Sequence, residues 1–165
     1  MNYDGLLLRF PKEIKYFIGI FVICLSLGYF TGVSFVYQTH SNTLDGVVEN
    51  YLGNEEKPDA EVMKFKKEER EMLVIIHTHV LSMSFIFFLL GGIVLLTRLP
   101  TKIKLFLIIE PFISIVLTFG GIYYLRQGYL WIKYVVIFSG ILMTLVFSIA
   151  VIIILYQLIF KLPDK

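Results

Sequence analysis

Against a largely hydrocarbon background, six side chains have the chemistry to form a site: His40, His77, His79, Glu110, Arg126 and Lys133. A neutral imidazole is an axial ligand for haem iron and a common ligand for transition metals. A b-type haem in a helical bundle takes one or two such histidines from facing helices. It also needs a flat apolar slot with room beside small residues, and cations for its two propionates. The chain offers His77 or His79, with His40 across from it, and Arg126 and Lys133 at the same level. This predicts haem b as cofactor and electron transfer as function. A bare metal is the alternative, with the same three histidines as ligands. A structural zinc site takes four ligands, which Asp45, Glu49 or Glu71 would have to complete, and no known ligand spacing appears. Copper would draw on Met63, Met72 and Met83. Equally, a histidine at the end of a span reads as an interfacial residue bonded to a carbonyl.

Residues 77 and 79 lie about 200° apart on a helix, so they cannot both face one centre. The His77 face continues through Leu81, Ser84, Phe88 and Gly91, and the His79 face through Met83, Ile86 and Leu90. The small and polar members favour His77 as the interior residue. Glu110 is followed by Pro111, with Ser114 and Thr118 on its own face. A carboxyl inside a span is costly unless neutral or paired. It reads as a proton-relay or quinone-site acid, or as an acid satisfied by Lys104, Arg98 or a nearby hydroxyl. Pro111 removes a helical hydrogen bond and kinks the helix.

The elements that must position these groups are membrane spans. The 165 residues are 57% hydrophobic and 17% charged, with mean hydropathy +0.77, well to the membrane side of a soluble domain. A span needs ~20 mostly apolar residues. Four stretches qualify: 14–37, 73–97, 103–125 and 130–160, in one domain covering 1–165. The first is too long for a signal-peptide core and lacks a small-residue cleavage site. The expected fold is all-α, an integral membrane four-helix bundle.

Basic residues set the orientation. Arg9, Lys12, Lys15, Arg98, Lys102, Lys104, Lys161 and Lys165 fall on one side. Both termini and the Leu99-Pro100 turn are therefore expected in the cytoplasm, and the 38–72 loop outside. In that loop, Leu44, Val47, Val48, Tyr51 and Leu52 have helical spacing before Gly53-Asn54. This predicts a short amphipathic helix on the outer face. A turn at Glu55–Asp59 with Pro58 follows. From Ala60, the pairs Lys64–Glu68 and Lys67–Glu71 predict a helix running straight into the second span. Each span carries small residues suited to close helix packing, Gly28-x-x-x-Gly32 among them. Tyr123, Tyr124, Tyr129, Trp131 and Tyr134 read as an interfacial aromatic belt.

The run His77-Thr-His79-Val-Leu-Ser-Met-Ser-Phe-Ile-Phe-Phe-Leu-Leu-Gly-Gly resembles the histidine-bearing helices of haem–copper oxidases and nitric oxide reductases. It covers about 20 residues, and the chain has too few spans and histidines for a catalytic oxidase core. In outline, with GVVENYLGNEE, HTHVLSMSF and EPFISIVL, the chain is similar to a family of small uncharacterised four-span bacterial membrane proteins. That resemblance implies the fold and a bacterial inner membrane, and no activity.

A single cysteine, Cys24, excludes a disulfide scaffold. Net charge +2 offers no field for nucleic acid. Soluble-enzyme motifs are absent from the sequence, so a stand-alone enzyme is not expected. The partners expected are the lipid bilayer, a quinone or membrane redox complex, and other copies of the chain. Beside the haem protein stands a second reading, a non-catalytic membrane subunit or assembly factor. A third is a metal-handling or ion-conducting oligomer, with Glu110 and the histidines as stations.

Overall fold

A computed structural model of the chain describes residues 3–57, 59–60 and 62–160. Four long helices carry the mass of the protein. They are α2 (Lys12–Gln38), α4 (Glu69–Leu95), α5 (Thr101–Arg126) and α6 (Ile132–Ile159), joined by two short helices, α1 (Leu6–Arg9) and α3 (Leu44–Leu52). No strand occurs among the described residues. All four long helices are long and apolar enough to cross a bilayer, as the hydropathy of the sequence requires. Their ends fall within a few residues of the expected ones. Pro11 and Pro100 stand just before α2 and α5, where the missing proline N–H would have had no helical partner. Lys161 and Lys165, counted in the charge asymmetry, lie outside the described residues, as does Pro58 of the loop turn.

The centre of the bundle is the α5–α6 hairpin. Ile115, Ile122 and Leu125 of α5 and Val146, Phe147 and Ile154 of α6 are all buried. The two backbones come together at Gly121, where an added Cβ would stand 2.6 Å from a Val136 methyl carbon. Phe147 is fully buried, stacks on Tyr29 of α2 at 3.8 Å, and receives the edge of Phe87 of α4 at 5.9 Å. Three helices thus meet on one aromatic cluster near mid-bundle.

The end bearing the basic residues is closed by α1, which the sequence reading did not anticipate. Leu7 N–H donates to the Leu96 carbonyl at 2.9 Å, and the Leu7 side chain is fully buried. Lys104 ties α5 to this segment through Asp4 at 2.7 Å. Gln157 of α6 clamps the α4–α5 turn, accepting from Arg98 N–H at 2.8 Å and donating to its carbonyl at 3.2 Å.

The opposite end is capped by the loop. α3 forms where its apolar spacing predicts it, and Thr43 caps it by accepting from Gly46 N–H at 3.0 Å. The expected helix from Ala60 does not form. Residues 62–68 run without helix, and α4 begins at Glu69. Asn54 is one cause. Its Nδ2 donates to the Val62 carbonyl at 2.9 Å, its Oδ1 accepts from Lys64 N–H at 2.7 Å, and its own N–H donates to the Lys64 carbonyl at 2.9 Å. These bonds hold the segment extended, as a strap beside the end of α3. The strap passes so close to Gly53, at φ +86°, that a Cβ there would meet Lys66 N at 2.8 Å. Lys64 consequently bonds the Thr39 carbonyl at 2.9 Å, while Lys67 does pair with Glu71.

Candidate functional site

The three histidines are exposed and are not brought to one centre. His40 follows α2 in the left-handed region at φ 55° and lines a polar cleft of ≈ 650 Å³ in the loop cap, with Glu49, Asn54, Lys57 and Lys64. His79, not His77, meets a neighbouring span: its ring lies 5.0 Å from that of Phe119 on α5, and its Nδ1 is 2.8 Å from the Ile75 carbonyl oxygen. This reverses the expectation from small and polar neighbours. The face of α4 that packs is the bulky apolar one, from Met72 through His79 and Met83 to Phe87. Leu81 and Phe88, on the His77 side, are exposed. Close packing against aromatic neighbours outweighs the small residues in choosing the buried stripe.

The two cations expected to serve propionates both bond to the loop cap. Arg126 Nε donates to the Lys67 carbonyl at 2.9 Å, and Lys133 Nζ lies 3.3 Å from Asp45 Oδ1 and 5.7 Å from the centre of the Tyr134 ring. Among the described residues no group of three or more His, Cys, Asp or Glu is placed to hold a metal ion. Of the aromatic residues at this end, Tyr124, Tyr129, Trp131 and Tyr134 are all exposed.

Charge pairing in the cap and at the basic end perturbs several groups. Glu49 and Lys57 pair at 2.6 Å, which lowers the Glu49 pKa and raises that of Lys57. The hydrogen bond from Lys104 lowers the Asp4 pKa. Burial raises the Tyr51 pKa.

Inside the bundle the chemistry gathers on α5 and α6. Glu110 is only 7% exposed. The Ser114 hydroxyl one turn on donates to its Oε1, and Oε2 has no hydrogen-bond partner. Of the three ways to satisfy this acid, the local hydroxyl is the one realised. Further along, Thr118 and Ser139 pair across the hairpin at 2.7 Å, and Tyr29 and Thr144 at 3.2 Å link α2 to α6. Sequence reasoning placed Thr118 on the Glu110 face but missed these bonds. A tyrosine in mid-span, away from any aromatic belt, was the available signal.

A second feature is an apolar groove of ≈ 820 Å³ between α4 and α5, floored by Gly91 and Gly92 and walled by Phe88, Ile109 and Phe112. It opens to the side of the bundle, where acyl chains lie.

A family model described as a transmembrane helical domain matches residues 41–165. No curated protein matches the chain, and no solved structure does.

Proposed function

The chain belongs to the Aq_1264_TM family of transmembrane helical domains, and within that frame we propose that it is a subunit of a membrane assembly, joined to its partners through α2. One observation carries this reading. Of the 27 residues of α2, only Val22 and Tyr29 are buried. The face formed by Cys24, Gly28 and Gly32 is exposed, and a Cβ added at either glycine would meet nothing within 4 Å. Small residues four apart are the device by which membrane helices approach closely, and here they are not used inside the chain. The expectation that Gly28-x-x-x-Gly32 packs within the bundle is corrected accordingly: α2 docks through the Tyr29 side, roughly a third of a turn away. A second copy of the chain is the simplest occupant, and another subunit's helix the alternative.

Cys24 makes the test direct, because it is the chain's single cysteine and lies on this face. Mild oxidation of isolated membranes is expected to give a disulfide-linked species through Cys24, which Gly28→Leu abolishes. A linked product of twice the chain mass assigns self-association, and a heavier or unequal product assigns another subunit. No product at any oxidant level counts against the reading.

The haem reading keeps one favourable observation: His79 touches the buried Phe119 of another span and has its Nε2 to offer. In that reading the protein is a b-type electron carrier, with a quinone or a membrane redox complex as partner. A second axial ligand would have to come from a neighbouring copy or from movement of His40. A reduced-minus-oxidised absorbance spectrum of the purified protein tests it: a Soret band lost in His79→Ala supports it, and a colourless preparation removes it. The charge asymmetry supports an orientation with the α1 end in the cytoplasm, and the resemblance to small four-span bacterial proteins is what favours a bacterial inner membrane.

A further inference from the structure

A lone carboxylate in the hydrocarbon of a bundle carries a charge that something must balance, since several kcal/mol oppose burying it bare. Among the described residues no cationic side chain does so for Glu110. Lys104, the nearest lysine on α5, pairs with Asp4 and donates to the Leu95 carbonyl at 3.1 Å. His79 lies at Phe119, nine residues up α5, about 13 Å along the axis.

The one donor among the described residues that reaches Glu110 is the Ser114 hydroxyl, and Oε1 takes it. Oε2 is unpartnered in a side chain more than nine-tenths buried. Pro111 has no N–H to give the Leu107 carbonyl one turn earlier, so that carbonyl lacks its helical partner. Leu107, Glu110, Pro111 and Ser114 are all buried on one face of α5. Because Thr118 meets Ser139 across the antiparallel hairpin, two turns inward Glu110 is level with Phe147. Apolar residues close that level from α6 and α4: Phe147 and Val151, and Phe87 and Leu90. The titratable group that enters from α2 is Tyr29, whose hydroxyl is engaged by Thr144 and which lies within electrostatic reach of Glu110.

We propose that Glu110, Ser114 and the Leu107 carbonyl bind one exchangeable monovalent cation, a proton or a sodium ion, in the core of the bundle. The donor set favours it: one carboxylate, one hydroxyl and one carbonyl are hard oxygen ligands carrying a single negative charge. A divalent ion would keep an unbalanced charge there. Ser114 fixes Oε1, which leaves Oε2 and the freed carbonyl as the open side of the site. The inference goes beyond the assembly reading and does not depend on it.

The test is carried out on wild-type protein in sodium-free lipid vesicles, with dicyclohexylcarbodiimide, an apolar reagent that modifies protonated carboxyls. Peptide mass spectrometry is expected to find the adduct on Glu110, absent in Glu110→Gln, with a rate that falls tenfold or more as pH is raised. If sodium at about 100 mM also slows it tenfold or more, the ion is sodium; if sodium has no effect, it is the proton. Ser114→Ala is expected to move the midpoint of the pH profile while the adduct stays on Glu110. An unmodified Glu110 at every pH, or modification indifferent to both pH and sodium, overturns the proposal. Either result leaves Cys24 cross-linking untouched, so the two readings fail separately.

Discussion

In the most apolar stretch of α5, 44% of the residues are buried against the rest of the protein; in that of α2, 11% are, although each helix is long and apolar enough to cross a bilayer. Hydropathy cannot separate them, because lipid and protein interior are equally apolar solvents for a side chain. The difference lies in what each helix offers at short range. α5 meets α6 at a glycine that admits Val136 and at a Thr118–Ser139 hydroxyl pair, and α6 returns Phe147 into the centre. α2 offers one tyrosine to that centre and turns Gly28 and Gly32 away. Membrane crossing and membrane packing are thus separate properties of a sequence, and a helix that has only the first remains free to join another chain.

Paired substitutions sharpen this contrast. The largest effect is expected at the aromatic cluster. Phe147→Ala should destabilise the bundle by about 3–4 kcal/mol, whereas Phe17→Ala, on the outer side of α2 at 75% exposure, should leave it within about 0.5 kcal/mol. Reversible unfolding of bicelle-embedded protein by detergent titration measures both. Next comes the same exchange at two glycines. Gly121→Leu, which must displace Val136, should cost about 2–3 kcal/mol, and Gly28→Leu almost nothing in the single chain. Equal costs at the two sites would break the distinction between a packed hairpin and a peripheral helix.

The loop cap gives a smaller effect. Asn54→Ala removes both side-chain bonds to the strap and should cost about 1–2 kcal/mol. Because the strap alone is released, faster proteolysis within residues 62–68 is the expected readout, with the four spans unchanged. The smallest effect belongs to Asp4. Its pKa is lowered in the folded chain by Lys104, so its contribution is present above the ordinary carboxylate range and is lost as pH falls through the folded pKa. The Asp4 side chain is 47% exposed, and Asp4→Asn should change stability by under about 1 kcal/mol at neutral pH. Once the pH is well below the folded pKa it should change nothing. A larger loss that persists in acid would mean that α1 is held through Asp4 by more than charge.

Much of this arrangement was legible in the residues. The four apolar helices and α3 follow from hydropathy and helical spacing, both local properties. Glu110 announced itself as a charge inside a span, and its Ser114 partner as a hydroxyl one turn away. What could not be read depended on contacts between distant segments. The strap at 62–68 has the charge pairs of a helix, and bonds to Asn54, at least eight residues earlier, together with Tyr51, Thr39 and Arg126, make it extended. α1 is four residues long, and its role rests on Leu7 reaching the α4–α5 turn. The choice between His77 and His79 turned on which side of α4 meets Phe119, a tertiary fact that the small residues near His77 misrepresented. Gly28 and Gly32 misled for the opposite reason: their spacing suits close packing, but no other part of the described chain meets them.

The central claim is that α2 carries an interface directed outside the chain, and it is tested most directly by native mass spectrometry of the protein extracted from membranes with its lipids. The account predicts a species of more than one chain, either copies of this one or a mixed complex, which Gly28→Leu and Gly32→Leu reduce to the single chain without unfolding it. A wild-type protein found only as the single chain, or an assembly indifferent to both substitutions, would contradict it.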